Sequence, residues 1–312
     1  MKRISHIFQK ITILSVFTLL LFSCTKEDMS DCPTEIRVYF TFTPQTINPA
    51  NVDRMHLYVF SHDGYFVDEY LDNDIARFST DYYIDCSGLQ PGNYRFIAWG
   101  GKDDRYYATA PAYFVKGQTT FHEALLMLQH PGNTLSTPEY HLFHAALPAN
   151  VLAIQKLQTF YMPLVQLSNT INISTIGLQE DADAYRFNIT DINCSYHFDS
   201  SFASHSHEPV TYTAPCTKDG ASQLHASLNV LRLAANRRTP QLEIYNETTG
   251  KALYPVNTQS GDLIGLILSA YPHNDFDTTH NYDIVFNFTT DLKVNITVNG
   301  WQVHDQEGEL IE

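Results

Sequence analysis

Between residues 35 and 43 apolar and polar positions alternate (EIRVYFTFT), and the Ile, Val, Tyr, Phe and Thr content predicts a strand. Similar runs at 54–60 and 65–70 flank Asp63-Gly64. That dipeptide predicts a two-residue hairpin turn in which both central residues take positive φ. Residues 82–86 predict a further strand, followed by Pro91-Gly92, which suits the second and third positions of a type II turn. Beyond it Tyr94, Phe96 and Ala98 alternate with Arg95, Ile97 and Trp99, a strand with little polarity on either face. Segment 121–128 reads equally as strand or short helix, and 139–145 reads as strand. Residues 146–158 lack alternation and carry Pro148, which predicts a connection and a domain boundary near 158. A second series of strands follows at 160–167, 169–176, 185–190, 194–198, 210–213, 223–233, 241–245 and 252–256. Residues 260–270 predict a short helix with Ser260 or Asp262 as N-cap. Strands at 282–289, 292–298 and 301–304 close the chain, the last two joined by Asn299-Gly300. Short strands spaced at roughly 8–12 residues indicate an all-β protein built of sandwiches, not βαβ units.

The N-terminal pattern is different. Lys2, Arg3 and Lys10 precede an uninterrupted apolar run at 11–22. A spanning helix needs ~20 apolar residues, so this run reads as the hydrophobic part of an export signal. It ends in Leu21-Phe22-Ser23-Cys24, which resembles a bacterial lipobox. That resemblance implies cleavage before Cys24, diacylation of its thiol and acylation of the new amine. Two or three acyl chains make a stable membrane anchor where one does not. Thr25-Lys26-Glu27-Asp28 resembles the acidic surface-export tag of some Gram-negative lipoproteins, which implies an outer-membrane, cell-surface location. The expected organisation is therefore a signal peptide at 1–23, an acidic tether at 24–31, and two β-sandwich domains at 32–158 and 159–312.

Charge narrows the partners. The 312 residues carry 34 acidic and 19 basic side chains, a net charge of −15. Losing residues 1–23 removes three bases and no acid, which takes the net charge to −18. A nucleic-acid partner needs clustered Lys and Arg, so this balance excludes one. Of the five cysteines, Cys24 is assigned to lipid, leaving Cys32, Cys86, Cys194 and Cys216. In an oxidising compartment an even remainder suggests two disulfides in any of three connectivities. The local pairing is Cys32–Cys86 with Cys194–Cys216. No CxxC spacing points to a metal instead.

Catalytic chemistry is not signalled. The chain has no GxGxxG, GxxxxGK[ST], HExxH or GxSxG. His205, His207 and Glu208 offer metal-ligand types, but in a polar stretch that reads as a solvated loop. His273, Asp275, Asp277 and His280 could supply ligands at alternate positions, without the Gly and closing Glu of a calcium-binding EF-hand loop. His141 and His144 fall on opposite faces of any strand. Asp103 and Asp104 read as a solvated charged loop. No catalytic residue, metal site or cofactor is expected.

Together, the lipobox at Cys24, Asp31-Cys32-Pro33 before the first strand, the strand 53–60, Cys86, the hairpin Leu89-x-Pro91-Gly92-x-Tyr94 and Ala98-Trp99-Gly100 resemble the FimB-type fimbrillin anchor family, lipoproteins of type V fimbriae. The resemblance implies two tandem prealbumin-like (transthyretin-like) sandwiches. It also implies a non-enzymatic anchor or accessory subunit that attaches a fimbrillin filament to the outer membrane through Cys24 and limits its length. The implied partner is a fimbrillin stalk subunit, bound by strand addition, in which main-chain hydrogen bonds give affinity and alternate side chains give specificity. The segment 301–312 or an exposed sheet edge is the expected contact. The alternative is a surface glycan-binding lipoprotein, which would present two or three exposed aromatic rings in a row.

Overall fold

The computed structural model describes residues 35–303 apart from 43–51, 74, 76–77, 80, 140, 155, 179–180, 204–207, 220–222, 257–259 and 290–293. The fold is nearly all β, with sandwich-like sheets. The first sheet contains β1 (Ile36–Phe42), β2 (Met55–Ser61), β3 (Phe66–Asp72), β4 (Tyr83–Asp85), β5 (Gly92–Gly100), β9 (Phe143–Val151) and β10 (Gln158–Gln166). Their spatial order is β3-β2-β5-β9-β10-β1-β4. β9 and β10 pair only through His144–Val165 and Phe143–Gln166, so the sheet folds over at this seam into two layers. Between the layers lie Ile36, Val38, Phe40, Leu57, Val59, Phe96, Ala98, Phe143, Met162 and Leu164. β1 and β10 run parallel, and the others pair antiparallel.

The second half forms two facing sheets. One holds β11 (Ser168–Ile176), β15 (Thr217–Asp219), β16 (Gln223–Leu231), β19 (Asn281–Phe288), β20 (Val294–Val298) and β21 (Trp301–Gln302), in the order β15-β16-β11-β19-β20-β21. The other holds β12 (Tyr185–Asp191), β14 (Val210–Thr213), β17 (Gln241–Asn246) and β18 (Lys251–Tyr254), with β8 (Thr134–Ser136) of the first half added at its edge. Helix α1 (Leu263–Ala270) buries Leu263, Ile264, Leu266 and Ile267. Asp262 caps it, accepting from Gly265 N at 2.8 Å, as the sequence predicts.

A three-stranded sheet ties the halves together. It pairs β6 (Tyr107–Ala110) and β7 (Leu125–Leu128) from the first half with β13 (Ser195–His197) from the second. This sheet covers the outer face of β2 and β5. Tyr58, Phe60, Ile97 and Trp99 point outward there and are all buried. The Phe198 ring, just beyond β13, lies 5.1 Å from Tyr58, 6.0 Å from Phe60, 5.9 Å from Trp99 and 5.3 Å from Phe114, centroid to centroid. This explains the missing polarity at 96–99: from Phe96 onward both faces of β5 are interior.

Several expectations are corrected. Asp63-Gly64 makes a longer turn than a two-residue hairpin: Gly64 N bonds Ser61 O at 2.9 Å, and Gly64 has a φ of +87° while Asp63 does not take positive φ. The three-residue loop His62–Gly64 is thus closed by a glycine at positive φ, with Ser61 N bonded to Tyr65 O at 2.7 Å. Pro91-Gly92 makes no type II turn, because Gly92 already belongs to β5. There the Tyr94 ring lies across Gly92, where a Cβ would meet it at 3.3 Å. Segment 121–128 resolves as strand over 125–128. β9 runs through Pro148, because beyond His144 it is paired only to β5, so the missing N–H faces an unpaired side. β10 pairs with β1 from Gln158 to Leu164, and Leu167 separates it from the next strand, which starts at Ser168 in another sheet. The Asn299-Gly300 turn forms with φ values of +48° and +80°.

Replacing Phe198 with Ala should cost about 3–5 kcal/mol, the usual range for a fully buried ring. Urea unfolding followed by tryptophan fluorescence should show the transition near Trp99 shifted. An unshifted transition would show that the first sheet does not depend on this second-half residue.

Candidate attachment and docking sites

The chain enters the first sheet at Ile36. Its neighbours at this pole are the β4–β5 turn and the β9–β10 turn. Gln158 N donates to Glu35 O at 2.8 Å, Cys86 N to Ile36 O at 2.8 Å, and Ile36 N to Ser87 Oγ at 3.2 Å. Cys24 and Cys32 lie outside the described residues. β10 starts at this pole, spans about 30 Å at strand rise, and passes directly into the second half. The pole therefore lies at the far end of the first sandwich from the second half.

The last described edge lies in the second half. β21 pairs only through Gln302–Thr297 and Trp301–Val298, and Val303 N donates to Ile296 O at 2.9 Å. Trp301 is 59% exposed and packs edge-on to the exposed Tyr271, with ring centroids at 5.9 Å. Other edges carry charge: Asp68 of β3 is paired to Lys116 at 2.7 Å, and β18 begins at the exposed Lys251. Charged edges discourage pairing with another chain, and β21 lacks that protection.

A third surface is a row of tyrosines across the outer layer β4-β1-β10. Tyr83 pairs with Tyr39, which pairs with Tyr161. Their ring centroids are 5.4 Å apart on each side, and Arg37 sits 4.6 Å over the Tyr83 ring. The sequence offered these residues only as alternating strand positions; parallel pairing of two distant strands aligns them.

No disulfide joins the cysteines among the described residues, and Cys32 lies outside them. Cys86, Cys194 and Cys216 are free thiols. Cys194 precedes β13 and its Sγ donates to Glu208 O at 3.8 Å, whereas Cys216 precedes β15 on a different sheet and its Sγ donates to Thr217 O at 3.9 Å. The proposed Cys194–Cys216 bridge is thus not formed, because the intervening strands carry the two thiols to separate sheets. Cys86 is buried between the layers, and burial raises its thiol to about 12. Cys194 is raised to about 11 for the same reason.

Neither group of candidate metal ligands forms a ligand set among the described residues. His205 and His207 lie outside the described residues, and Glu208 accepts from Asn133 Nδ2 at 2.8 Å. Asp275 organises its own loop, accepting from Asp277 N at 3.0 Å and Thr278 Oγ1 at 2.9 Å, while His280 is buried. Among the described residues no three His, Cys, Asp or Glu side chains converge as metal ligands. Asp103 is not solvated as expected. It is 2% exposed and bound by Arg105 at 2.6 Å and Arg54 at 3.4 Å. Burial alone would raise this carboxyl; the Arg105 hydrogen bonds and both guanidinium charges outweigh that and hold it below the usual range. A shallow cleft of about 270 Å³ is lined by Phe121, His122, His197, Asp199 and Ser201. Asp199 there is occupied by Ser201, whose Oγ and N donate at 2.6 and 2.9 Å.

His144 packs 4.7 Å from Trp99 and its Nε2 donates to Phe198 O at 2.9 Å. Burial pushes its imidazole down to about 4, and His56 is likewise pushed to about 4 by burial and by Lys102. Both are neutral in the fold. Their stabilising effect is full above the unfolded value of 6.5 and is lost as pH falls from there through about 4. Wild-type melting temperature should therefore drop between pH 6.5 and 4.5, and His144→Gln, which keeps a donor for Phe198 O, should drop less. Parallel thermal-melt curves would contradict this.

A family model described as fimbrillin-A associated anchor proteins Mfa1 and Mfa2 matches residues 29–307. The minor fimbrium anchoring subunit Mfa2 of Porphyromonas gingivalis is 27% identical over 318 aligned residues, covering 93% of this chain and 92% of that protein. The solved structure of the fimbrial anchor protein Mfa2 from P. gingivalis matches with a TM-score of 0.69 at 23% identity, covering 88% of this chain and 99% of that one. A candidate polysaccharide-binding protein from Bacteroides thetaiotaomicron matches with a TM-score of 0.71 at 20% identity, covering 89% of this chain and 99% of that one. At these identities the structural matches show a shared fold.

Proposed function

This chain belongs to the family of fimbrillin-A associated anchor proteins, and from that membership we propose that it fixes a fimbrial filament to the outer membrane through acyl chains on Cys24. The family match over residues 29–307 carries the reading. The family is one of anchor proteins rather than enzymes. No helix among the described residues is long and apolar enough to cross a membrane.

The geometry supports a division of labour. The chain arrives from Cys24 at one pole of the first sandwich. The weakly protected edge at β21 lies in the second half, next to the segment 304–312. On this reading that segment or the β21 edge engages one stalk subunit by strand addition. Main-chain hydrogen bonds supply the affinity, and the register of buried Val294, Ile296 and Val298 beneath the edge supplies the spacing. Capping the filament at its base would also limit its length. The glycan-binding alternative is not favoured by the family. Its one supporting feature is the Tyr83–Tyr39–Tyr161 row.

A Cys24→Ala strain should shed fimbriae into the medium while its cell-bound fimbriae fall severalfold, scored by immunoblot of cells and supernatant. Fimbriae retained at wild-type level would overturn lipid anchoring. Deleting residues 305–312 should leave the acylated protein on the membrane and abolish filament retention. Unchanged fimbriae in that strain would exclude the C-terminal segment as the contact.

A further inference from the structure

The pole where the chain enters from Cys24 has an unusual surface. Three aliphatic side chains on the turn between β9 and β10 face solvent: Leu152 is 48% exposed, Ile154 39% and Leu157 44%. This is a built turn. The Gln158 side chain closes it, donating from Nε2 to Leu152 O at 2.9 Å and accepting from Leu152 N at 2.8 Å. Ile154 N also bonds Leu152 O at 2.9 Å. The Leu152 N and O and the Ile154 N are thus bonded within the protein, while the Leu152, Ile154 and Leu157 side chains face outward beside the exposed Lys156.

Charge sets this pole apart from the rest of the molecule. The chain has 34 acidic residues, yet 152–158 contains none, nor does the adjoining turn 87–91. The neighbouring acids are engaged. Glu35 is paired with Arg37, and Asp85 accepts from Ser87 N at 2.9 Å. The turn itself therefore adds no negative charge to a pole that also receives the acidic tether with Glu27, Asp28 and Asp31, although the chain without residues 1–23 carries −18.

Position supplies the occupant. Cys24 is 11 residues from Glu35 in the sequence, a reach of at most about 36–40 Å. Glu35 O is bonded directly to Gln158 at the base of the turn. Three partly exposed aliphatics would not recruit a protein from solution. A tether this short holds the turn at high effective concentration near the bilayer, so weak burial suffices to orient the body.

We propose that the Leu152–Leu157 turn is a membrane-contacting surface, its aliphatic side chains lying among lipid acyl chains and standing the first sandwich upright on the bilayer. The proposal rests on the reading that Cys24 is acylated.

The test uses the mature lipidated protein reconstituted into phosphatidylethanolamine–phosphatidylglycerol vesicles that contain a lipid with a diazirine in its acyl chain. After irradiation, lipid adducts are mapped by peptide mass spectrometry. Adducts on the peptide spanning 152–157 should exceed those at the exposed controls Tyr113 and Trp301 by tenfold or more. Leu152→Ser/Ile154→Ser/Leu157→Ser should abolish that excess. Adducts no higher than at the controls, with acyl mass present on the Cys24 peptide, would overturn the membrane contact alone. A Cys24 peptide lacking acyl mass would overturn the anchoring reading and the proposal with it.

Discussion

The architecture depends on a layer that is apolar on both sides. Met55, Leu57 and Val59 of β2, with Phe96 and Ala98 of β5, face the interior of the first sandwich. Tyr58, Phe60, Ile97 and Trp99 on the same strands face away from it and are equally buried. An antiparallel sheet can leave one face to water; this one cannot. Burying four large side chains on the outer face is worth several kcal/mol at roughly 1.5–3 kcal/mol each, and only the excursion through 101–137 and the return through 194–203 achieve it.

That requirement explains the interlocking of the two halves. The covering sheet cannot be completed by the first half alone, since β13 is its third strand. Leu128 N bonds Cys194 O at 2.7 Å, Phe198 N bonds Ala124 O at 3.2 Å, and His144 bonds Phe198 O. The excursion is launched at Asp103, whose main-chain oxygen accepts from Tyr106 and Tyr107 while its carboxylate holds Arg54 and Arg105. Cys194 contributes as a buried, neutral thiol in this seam, which is a packing role.

How much of this was legible in the sequence varies with the range of the interaction. Most strands, the α1 cap at Asp262 and the Asn299-Gly300 turn followed from local periodicity and turn chemistry. The non-local features did not. Pro148 broke the pattern of β9, yet the strand continues because its proline faces an unpaired side. Asp103 looked solvated because its arginine partners and its covering loops are set by tertiary packing. Tyr39, Tyr83 and Tyr161 were three unrelated positions until the β1–β10 and β1–β4 pairings aligned them. Leu152, Ile154 and Leu157 lay in a segment read as a connection, and only the position of Ile36 beside Gln158 gives them meaning. Cys194 and Cys216 are close along the chain, yet they precede strands of different sheets.

The parallel pairing of β1 with β10 has a mechanical consequence for an anchor. Under the proposed anchoring through Cys24, one path for a load on the filament enters the first sandwich through the C-terminal end of β10 and leaves it through the N-terminal end of β1. The two strands are then pulled in opposite directions along their common axis, across seven register pairs from Ile36–Gln158 to Phe42–Leu164. In this geometry the interstrand hydrogen bonds resist together in shear; they are not peeled one at a time. The same ladder that sets the fold's topology is oriented to bear tension.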